Sequence, residues 1–222
     1  MSSIPTEDIT ATKTRAAFRR PAGELAFWIG LLIMGVLFWQ VSGYRYRLRV
    51  EEHRQAVETF RRQKDRFLKG DSTSPLQNKA DFQGLAYYPI NFRQRHTLRL
   101  LPRRDTAVLW LPTTADTRVA FVRAGWVQVP KPDGGVKPVV IVHPVNDPVH
   151  LLLSFTDSTT GEETASYGRY LDVVRLSQTH VLVDFNLAYH PYCLFNKALA
   201  CPEPPEENAL PFAVRAGERL EE

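Results

Sequence analysis

The chain has 222 residues, of which 44% are hydrophobic and 23% charged, enough for one globular domain with additional segments. The formal net charge is +4, but the basic excess lies before residue 70. The rest of the chain has no basic patch interleaved with aromatic residues, so no nucleic acid partner is predicted.

The amino-terminal region contains a polar tail followed by an apolar stretch. Residues 1–21 have no apolar periodicity and are predicted to form a flexible tail. Residues 22–43 are apolar except for Glu24 and Gln40, and Trp28 and Trp39 lie near the two ends. About 20 such residues cross a bilayer as a helix. We therefore predict a single-pass transmembrane helix over 22–43 with the lipid bilayer as its partner. A cleaved signal peptide is the alternative, but no small-residue cleavage site follows.

The charges flanking the apolar stretch bear on which side of the membrane the rest of the chain lies. Four basic residues occur between 13 and 20, and six arginines occur between 45 and 62. Cytoplasmic flanks carry the excess of basic residues, so the tally predicts a cytoplasmic carboxyl-terminal domain at the cell membrane. Long domains can translocate regardless of flanking charge, which leaves a periplasmic or extracellular location open.

Residues 44–70 are strongly charged and contain no proline, and Gly70 is the single glycine among them. A partial apolar stripe includes Val57, Phe60 and Leu68, so a charged juxtamembrane helix is predicted. Such a helix either is solvated or lies on anionic lipid or on an acidic partner. His53 and His96 stand in basic surroundings and are predicted to be solvated.

Residues 71–222 are predicted to form a β-rich globular domain, because short apolar runs alternate with turn signals and almost no helical pattern lies between them. The candidate strands are 97–101, 107–111, 118–122, 126–129, 138–143, 150–155, 169–174, 180–185 and 212–215. The predicted fold class is mainly β, an antiparallel β-sandwich or barrel.

One stretch of this domain, Val181–Pro205, is unusually rich in aromatic residues for a loop. It contains both cysteines of the chain, Cys193 and Cys201, and a cluster of aromatic residues between them and the preceding apolar run. We predict that it forms an ordered carboxyl-terminal plug, folded back onto the β-structure.

A series of motifs carries a resemblance to a known family. They are FQGL at 82–85, FTDSTTG at 155–161, YGRYL at 167–171, DFN at 184–186, AYHPYC at 188–193, CPEPP at 201–205 and AGE at 216–218. In this order they resemble the prokaryotic family known as domain of unknown function 1684, over roughly residues 56–219. The family usually has asparagine where this chain has His190. The resemblance implies a fold and a set of landmark residues but no activity and no cofactor.

The polar residues within these motifs are the candidate site, together with one tyrosine: Arg169, Asp184, Asn186, Tyr189, Asn208 and Glu218. One interpretation is a small-molecule-binding or hydrolase-like site, in which Arg169 binds an anionic group that Asp184 and Asn186 orient. The favoured interpretation is a buried network that clamps the 186–210 loop, because buried charges need partners and hydrogen bonds.

The two cysteines allow three states. Cys193 and Cys201 would form a disulfide if the domain lies outside the cytoplasm, and would be two thiols if it lies inside. A zinc site with His190 and either His180 or Asp184 is the least favoured, because structural zinc usually shows paired short spacings. No metal and no cofactor are therefore predicted.

The chain contains no serine nucleophile elbow, no phosphate-binding glycine loop and no dinucleotide fingerprint. The expected function is therefore that of a membrane-anchored, non-enzymatic accessory or stabilising subunit. Its partners would be the proteins of a larger membrane complex, for example a bioenergetic or transport complex.

Overall fold

A computed structural model describes residues 22–102 and 108–221. The chain divides into two units, Met1–Arg49 and Val50–Glu222. The compact β-rich unit therefore begins inside the predicted charged helix and not after it. The predicted flexible tail, residues 1–21, lies outside the described residues.

The amino-terminal element is a single long helix, α1, Ala22–Gly70. The two predicted helical segments, 22–43 and 44–70, are thus one continuous element. In the first unit the described side chains of α1 are exposed, and the helix is long and apolar enough to cross a membrane. A helix suits this composition because it satisfies its backbone hydrogen bonds internally.

The second half of α1, from Val50, presents one buried face. Val57 and Leu68 are 1% and 0% exposed, and His53 is also buried. Phe60 and Lys64 are half-buried between them, so positions 53, 57, 60, 64 and 68 form one stripe at helical spacing. The prediction that His53 is solvated is wrong, because this stripe packs within the β-rich unit.

Nine strands follow in the described part of the chain. They are β1 (Ala86–Tyr87), β2 (Arg95–Arg99), β3 (Val108–Pro112), β4 (Arg118–Pro130), β5 (Val136–Pro144), β6 (Leu151–Phe155), β7 (Arg169–Arg175), β8 (His180–Asp184) and β9 (Glu218–Arg219). Seven of them form one sheet in the order β2-β8-β7-β6-β5-β4-β3, and β1 pairs with β9. All the paired strands are antiparallel.

The central strands are covered on both faces. In β5, Val139 and Ile141 belong to one apolar cluster, whereas Val140 and Val142 belong to another. Successive residues of a strand point to opposite faces, so both faces of β5 are buried. This burial explains why residues 138–142 of β5 are a continuous apolar run and do not alternate.

The longest hairpin, β4–β5, shows why two predicted strands are one. The candidates at 118–122 and 126–129 join through an irregularity between Arg123 and Gly125. A Cβ at Gly125 would lie 2.6 Å from the carbonyl oxygen of Leu101, so only glycine fits there. Residue Leu101 also forms a bridge with Trp126 at this point.

The predicted fold is confirmed as mostly antiparallel sheet with one long apolar amino-terminal helix. Within residues 22–102 and 108–221 the sheet does not close into a barrel. The prediction of a strand at 212–215 is wrong, because these residues form no strand. The carbonyl of Val214 in this segment accepts a hydrogen bond from a buried arginine, so it is not available to a neighbouring strand.

Candidate functional site

Arg169 ties the carboxyl-terminal segment to the start of β7. Its side chain is 1% exposed, and Nη2 donates to the carboxylate of Asp157 at 2.7 Å and to the Val214 carbonyl at 2.6 Å. Nη1 donates to the carbonyls of Ala216 at 2.5 Å and Glu218 at 3.2 Å. Burial lowers the pKa of Arg169, and the adjacent Asp157 opposes that shift. The Nη1 and Nη2 donors of the guanidinium therefore all bind groups of the protein itself.

Asp157 is the counterion that the sequence analysis did not name. Its Oδ1 accepts hydrogen bonds from the backbone N–H and the hydroxyl of Thr159, and its Oδ2 accepts from Arg169 and from the N–H of Val214. Both oxygens are thus satisfied inside the protein, as a buried carboxylate requires. Asp157 lies in the FTDSTTG motif, and its place within that motif was the signal that could have found it.

Asp184 and Asn186 form a second network, at the end of β8. Oδ1 of Asp184 accepts from the side-chain amide of Asn186 at 2.8 Å, and Oδ2 lies 2.6 Å from Nε2 of His53. Asn186 also pairs with the backbone of Asn91 in both directions, at 2.8 and 2.9 Å. This network joins α1 and the segment before β2 to the end of β8.

The structure does not bring Arg169 together with Asp184 or Asn186. No hydrogen bond or ion pair among residues 22–102 and 108–221 joins the arginine to either of them, and all three side chains are buried. The polar groups of the three residues are therefore engaged in two different sets of hydrogen bonds. They belong to two separate clasps.

Glu218 is the centre of a third network and connects β9 to α1. It is 1% exposed, its Oε1 lies 2.5 Å from Nζ of Lys64, and its Oε2 accepts from the backbone N–H of His190 at 2.7 Å. Burial raises the pKa of Glu218 and lowers that of Lys64. The preceding Gly217 has a φ of +80°, and a Cβ there would clash with the carbonyl of Ala188.

His190 is held neutral beside this ion pair. It is 2% exposed, and its Nε2 accepts a hydrogen bond from the backbone N–H of Ala165 at 3.3 Å. Burial, with the positive charges of Arg169 and Lys64, lowers the pKa of His190 to about 3.

This depressed pKa predicts an acid-sensitive fold. The unfolded chain, with its histidine pKa at the ordinary 6.5, takes up the proton first as the pH falls. The free energy of unfolding should therefore fall between about pH 6.5 and pH 3, by up to about 1.4 kcal/mol per pH unit. Urea unfolding at several pH values, compared with His190→Asn, measures this contribution. Parallel pH curves for the two proteins would contradict it.

Asn208 closes a gap in the sheet. The β5–β6 ladder contains a single residue pair, Val142 with Leu152. Beyond it the side chain of Asn208 accepts from the Val140 N–H at 2.7 Å and donates to the carbonyls of Val140 and Ser154 at 3.0 and 2.8 Å. The amide thus supplies the hydrogen bonds that a neighbouring strand would supply.

The plug, Val181–Pro205, crosses the sheet along a defined path. The backbones of Tyr189 and Tyr170 exchange two hydrogen bonds of 2.8 Å, and Pro202 bridges to Thr113 after β3. The hydroxyl of Tyr170 donates to the carbonyl of Pro202. The segment is therefore an ordered part of the fold, fastened at both ends.

Cys193 and Cys201 are joined in a disulfide with a Cα–Cα distance of 5.9 Å. Both residues are 5% exposed, and the N–H of Cys193 contacts Sγ of Cys201. Among residues 22–102 and 108–221, no group of three or more His, Cys, Asp or Glu side chains is arranged to hold a metal ion.

Removal of the disulfide is expected to lower stability moderately. The bridge closes a loop with a sequence separation of 8 residues. A loop of that size corresponds to about 2–3 kcal/mol in the chain-entropy model. The variant with Cys193→Ser and Cys201→Ser should show this loss in urea unfolding, and a reductant should reproduce it in the wild type. A reductant that destabilises the serine variant equally would contradict the assignment.

A family model described as "Protein of unknown function (DUF1684)" matches residues 80–219. The chain belongs to this family. The resemblance found in the sequence motifs is confirmed, although the match begins at residue 80 and leaves α1 outside it. The part of the chain that matches the family model contains Arg169, Asp157, Asp184, Asn208 and Glu218. Helix α1, which lies outside that part, contributes His53 as the partner of Asp184 and Lys64 as the partner of Glu218.

The DUF1684 chain is also similar to a solved structure, the solution NMR structure of an uncharacterised protein from Haloarcula marismortui. The two are 29% identical with a TM-score of 0.60, and the match covers 77% of this chain and 95% of the other. This share of the chain is larger than the part that the family model matches. No curated protein matches the chain.

Proposed function

We propose that this protein is a membrane-anchored, non-enzymatic accessory subunit of a larger membrane protein complex. The observation that carries the proposal is that polar residues of the family motifs are buried and bind backbone groups. Arg169, Asn208 and Glu218 are each at most 1% exposed and bind backbone groups of their own chain. Side chains that are occupied by such hydrogen bonds stabilise a fold, whereas a catalytic site needs polar groups directed at a substrate.

The apolar half of α1 supports the membrane part of the proposal. Its described side chains from Ala26 onward are exposed, with Trp28 and Trp39 at 65% and 76%. Such a helix needs lipid or other helices around it, since an exposed apolar surface of this extent is unfavourable in water. A charged juxtamembrane segment continuous with it then holds the β-rich unit at the membrane.

We further propose that the β-rich unit lies on the oxidising side of the membrane. The Cys193–Cys201 disulfide supports this side, because cytoplasmic thiols are kept reduced. The balance of flanking charges points the other way, but a long domain can translocate despite it. Alkaline phosphatase, which is active only outside the cytoplasm, should be active when it is fused after the last residue. An inactive phosphatase fusion, together with an active fusion to a reporter that works only in the cytoplasm, would contradict this orientation.

The accessory role is tested by isolating the full chain with its neighbours. Cross-linking in intact membranes, followed by maltoside extraction and native electrophoresis, should show the chain migrating with larger membrane proteins. A matched control is the same chain with residues 26–43 replaced by an unrelated apolar span of equal length. A lone monomer in every mild condition, with or without cross-linker, would overturn the proposal.

A further inference from the structure

An open cleft of about 310 Å³ lies within the β-rich unit, and neither Arg169 nor Asp184 lines it. One wall is a face of α1 with Phe60, Lys64 and Phe67, and the other is formed by Asp172, Tyr189 and Tyr192. This volume is at the lower end of the range for small-molecule sites.

Aromatic rings dominate this cleft, and they are held in place. The hydroxyl of Tyr189 donates to Oδ1 of Asp172 at 3.2 Å, and its ring packs edge-on against Tyr170 with centroids 6.0 Å apart. Tyr192 begins the short turn Tyr192–Leu194 beside the disulfide and remains 41% exposed. The face of Tyr189 is already occupied within the protein, because Nζ of Lys64 lies 4.3 Å from the centroid of its ring, so the rings of Phe60, Phe67 and Tyr192 are the other aromatic groups of the cleft.

The charges around the cleft leave it negative. The ammonium of Lys64 is paired with the carboxylate of Glu218 at 2.5 Å, so its charge is neutralised locally. The side chain of Asp172 is 56% exposed at the rim, beside Nε2 of His150 at 2.8 Å. After burial, the nearby carboxylates of Glu218 and Asp172 are the groups that raise the pKa of Tyr192.

We infer that this cleft binds a small alkylammonium cation, with the rings of Phe60, Phe67 and Tyr192 around the alkyl groups and the carboxylate of Asp172 at the rim. Aromatic faces and a carboxylate together favour such a cation over an anion or an uncharged apolar solute. The site is independent of the proposed accessory role, because no feature of a protein partner enters the argument.

The test uses the full chain in maltoside micelles at low ionic strength, titrated with choline. The choline methyl signals should show saturable binding by saturation-transfer NMR. Dimethylbutanol, the uncharged carbon isostere of choline, should bind at least about twofold more weakly, because it lacks the cation–π and carboxylate terms. Tyr192→Leu and Asp172→Asn should each weaken choline binding by about two- to fivefold.

Tyr167→Leu is the matched control, since Tyr167 is 39% exposed and does not line the cleft, so choline affinity should be unchanged. Near-ultraviolet circular dichroism checks that each variant is folded, and the exposed Asp172→Asn keeps the test valid if Tyr192→Leu disturbs the disulfide loop. Absence of saturable binding would overturn the inference. Equal affinity for choline and dimethylbutanol would overturn it too, as it would show an apolar cleft without cation preference.

Discussion

Arg169→Met is expected to destabilise the β-rich unit by about 3–5 kcal/mol, the usual cost of removing one partner of a buried ion pair. The substitution preserves an apolar stem but leaves the Asp157 carboxylate buried without its cation. It also removes the donors to the carbonyls of Val214, Ala216 and Glu218. Urea unfolding in maltoside micelles, followed by near-ultraviolet circular dichroism, measures the loss.

Arg175→Met is the matched control for this prediction. Arg175 ends the same strand, β7, and is exposed, so its replacement should change stability by less than about 0.5 kcal/mol. If Arg169→Met lost no more than about 1 kcal/mol, the value of one ordinary hydrogen bond, Arg169 would not be the clasp described above.

Lys64→Met is expected to cost about 3–5 kcal/mol at pH 8, because it leaves the Glu218 carboxylate buried without its ammonium partner. The cost should shrink at lower pH. Burial already raises the pKa of Glu218 above that of the unfolded chain, so the folded protein binds the proton more readily. A raised carboxyl pKa makes the unfolding free energy increase as the pH falls through the folded pKa towards the unfolded value. Unfolding of the variant at pH 8 and pH 5 is the measurement.

Two further variants make this prediction specific. Adding Glu218→Gln to Lys64→Met removes the buried charge, so the double variant should be more stable than Lys64→Met at pH 8 and should lack its pH dependence. Lys69→Met, an exposed lysine in the last turn of the same helix, should have little effect. Additive losses for Lys64→Met and Glu218→Gln would mean that the two side chains are not coupled.

The sequence predicted the strands well where the pattern is local. Turn-forming residues, PDGG at 132–135 and DSTTG at 157–161, separate β4 from β5 and β6 from β7, and the apolar runs of β5, β6 and β8 are strands. The two-residue strands β1 and β9 were missed because so short a pairing has no periodicity and depends on a partner distant in the chain.

The candidate site could be predicted in its residues but not in its pairings. Arg169, Asp184 and Glu218 were predicted as site residues, but Asp157, His53 and Lys64 were not predicted to be their partners. His53 and Lys64 complete a stripe with Val57, Phe60 and Leu68 at helical spacing, so the signal was present. It was overlooked because a charged residue within an apolar stripe normally marks a solvated position, and only its burial shows otherwise.

Sequence pattern alone was enough to predict the apolar helix and the β-rich character of the rest, because both follow from composition and short-range periodicity, which are properties of neighbouring residues. The family was predicted from its resemblance, through the order of its motifs, and not from periodicity. The continuation of α1 into the β-rich unit, and the separate hydrogen-bond networks of Arg169 and Asp184, became visible only in the folded protein. The tertiary structure also decided that Asn208 completes a split ladder between β5 and β6. Those outcomes depend on which buried charges and backbone groups meet across long sequence separations, where each must find a hydrogen-bond partner or remain costly.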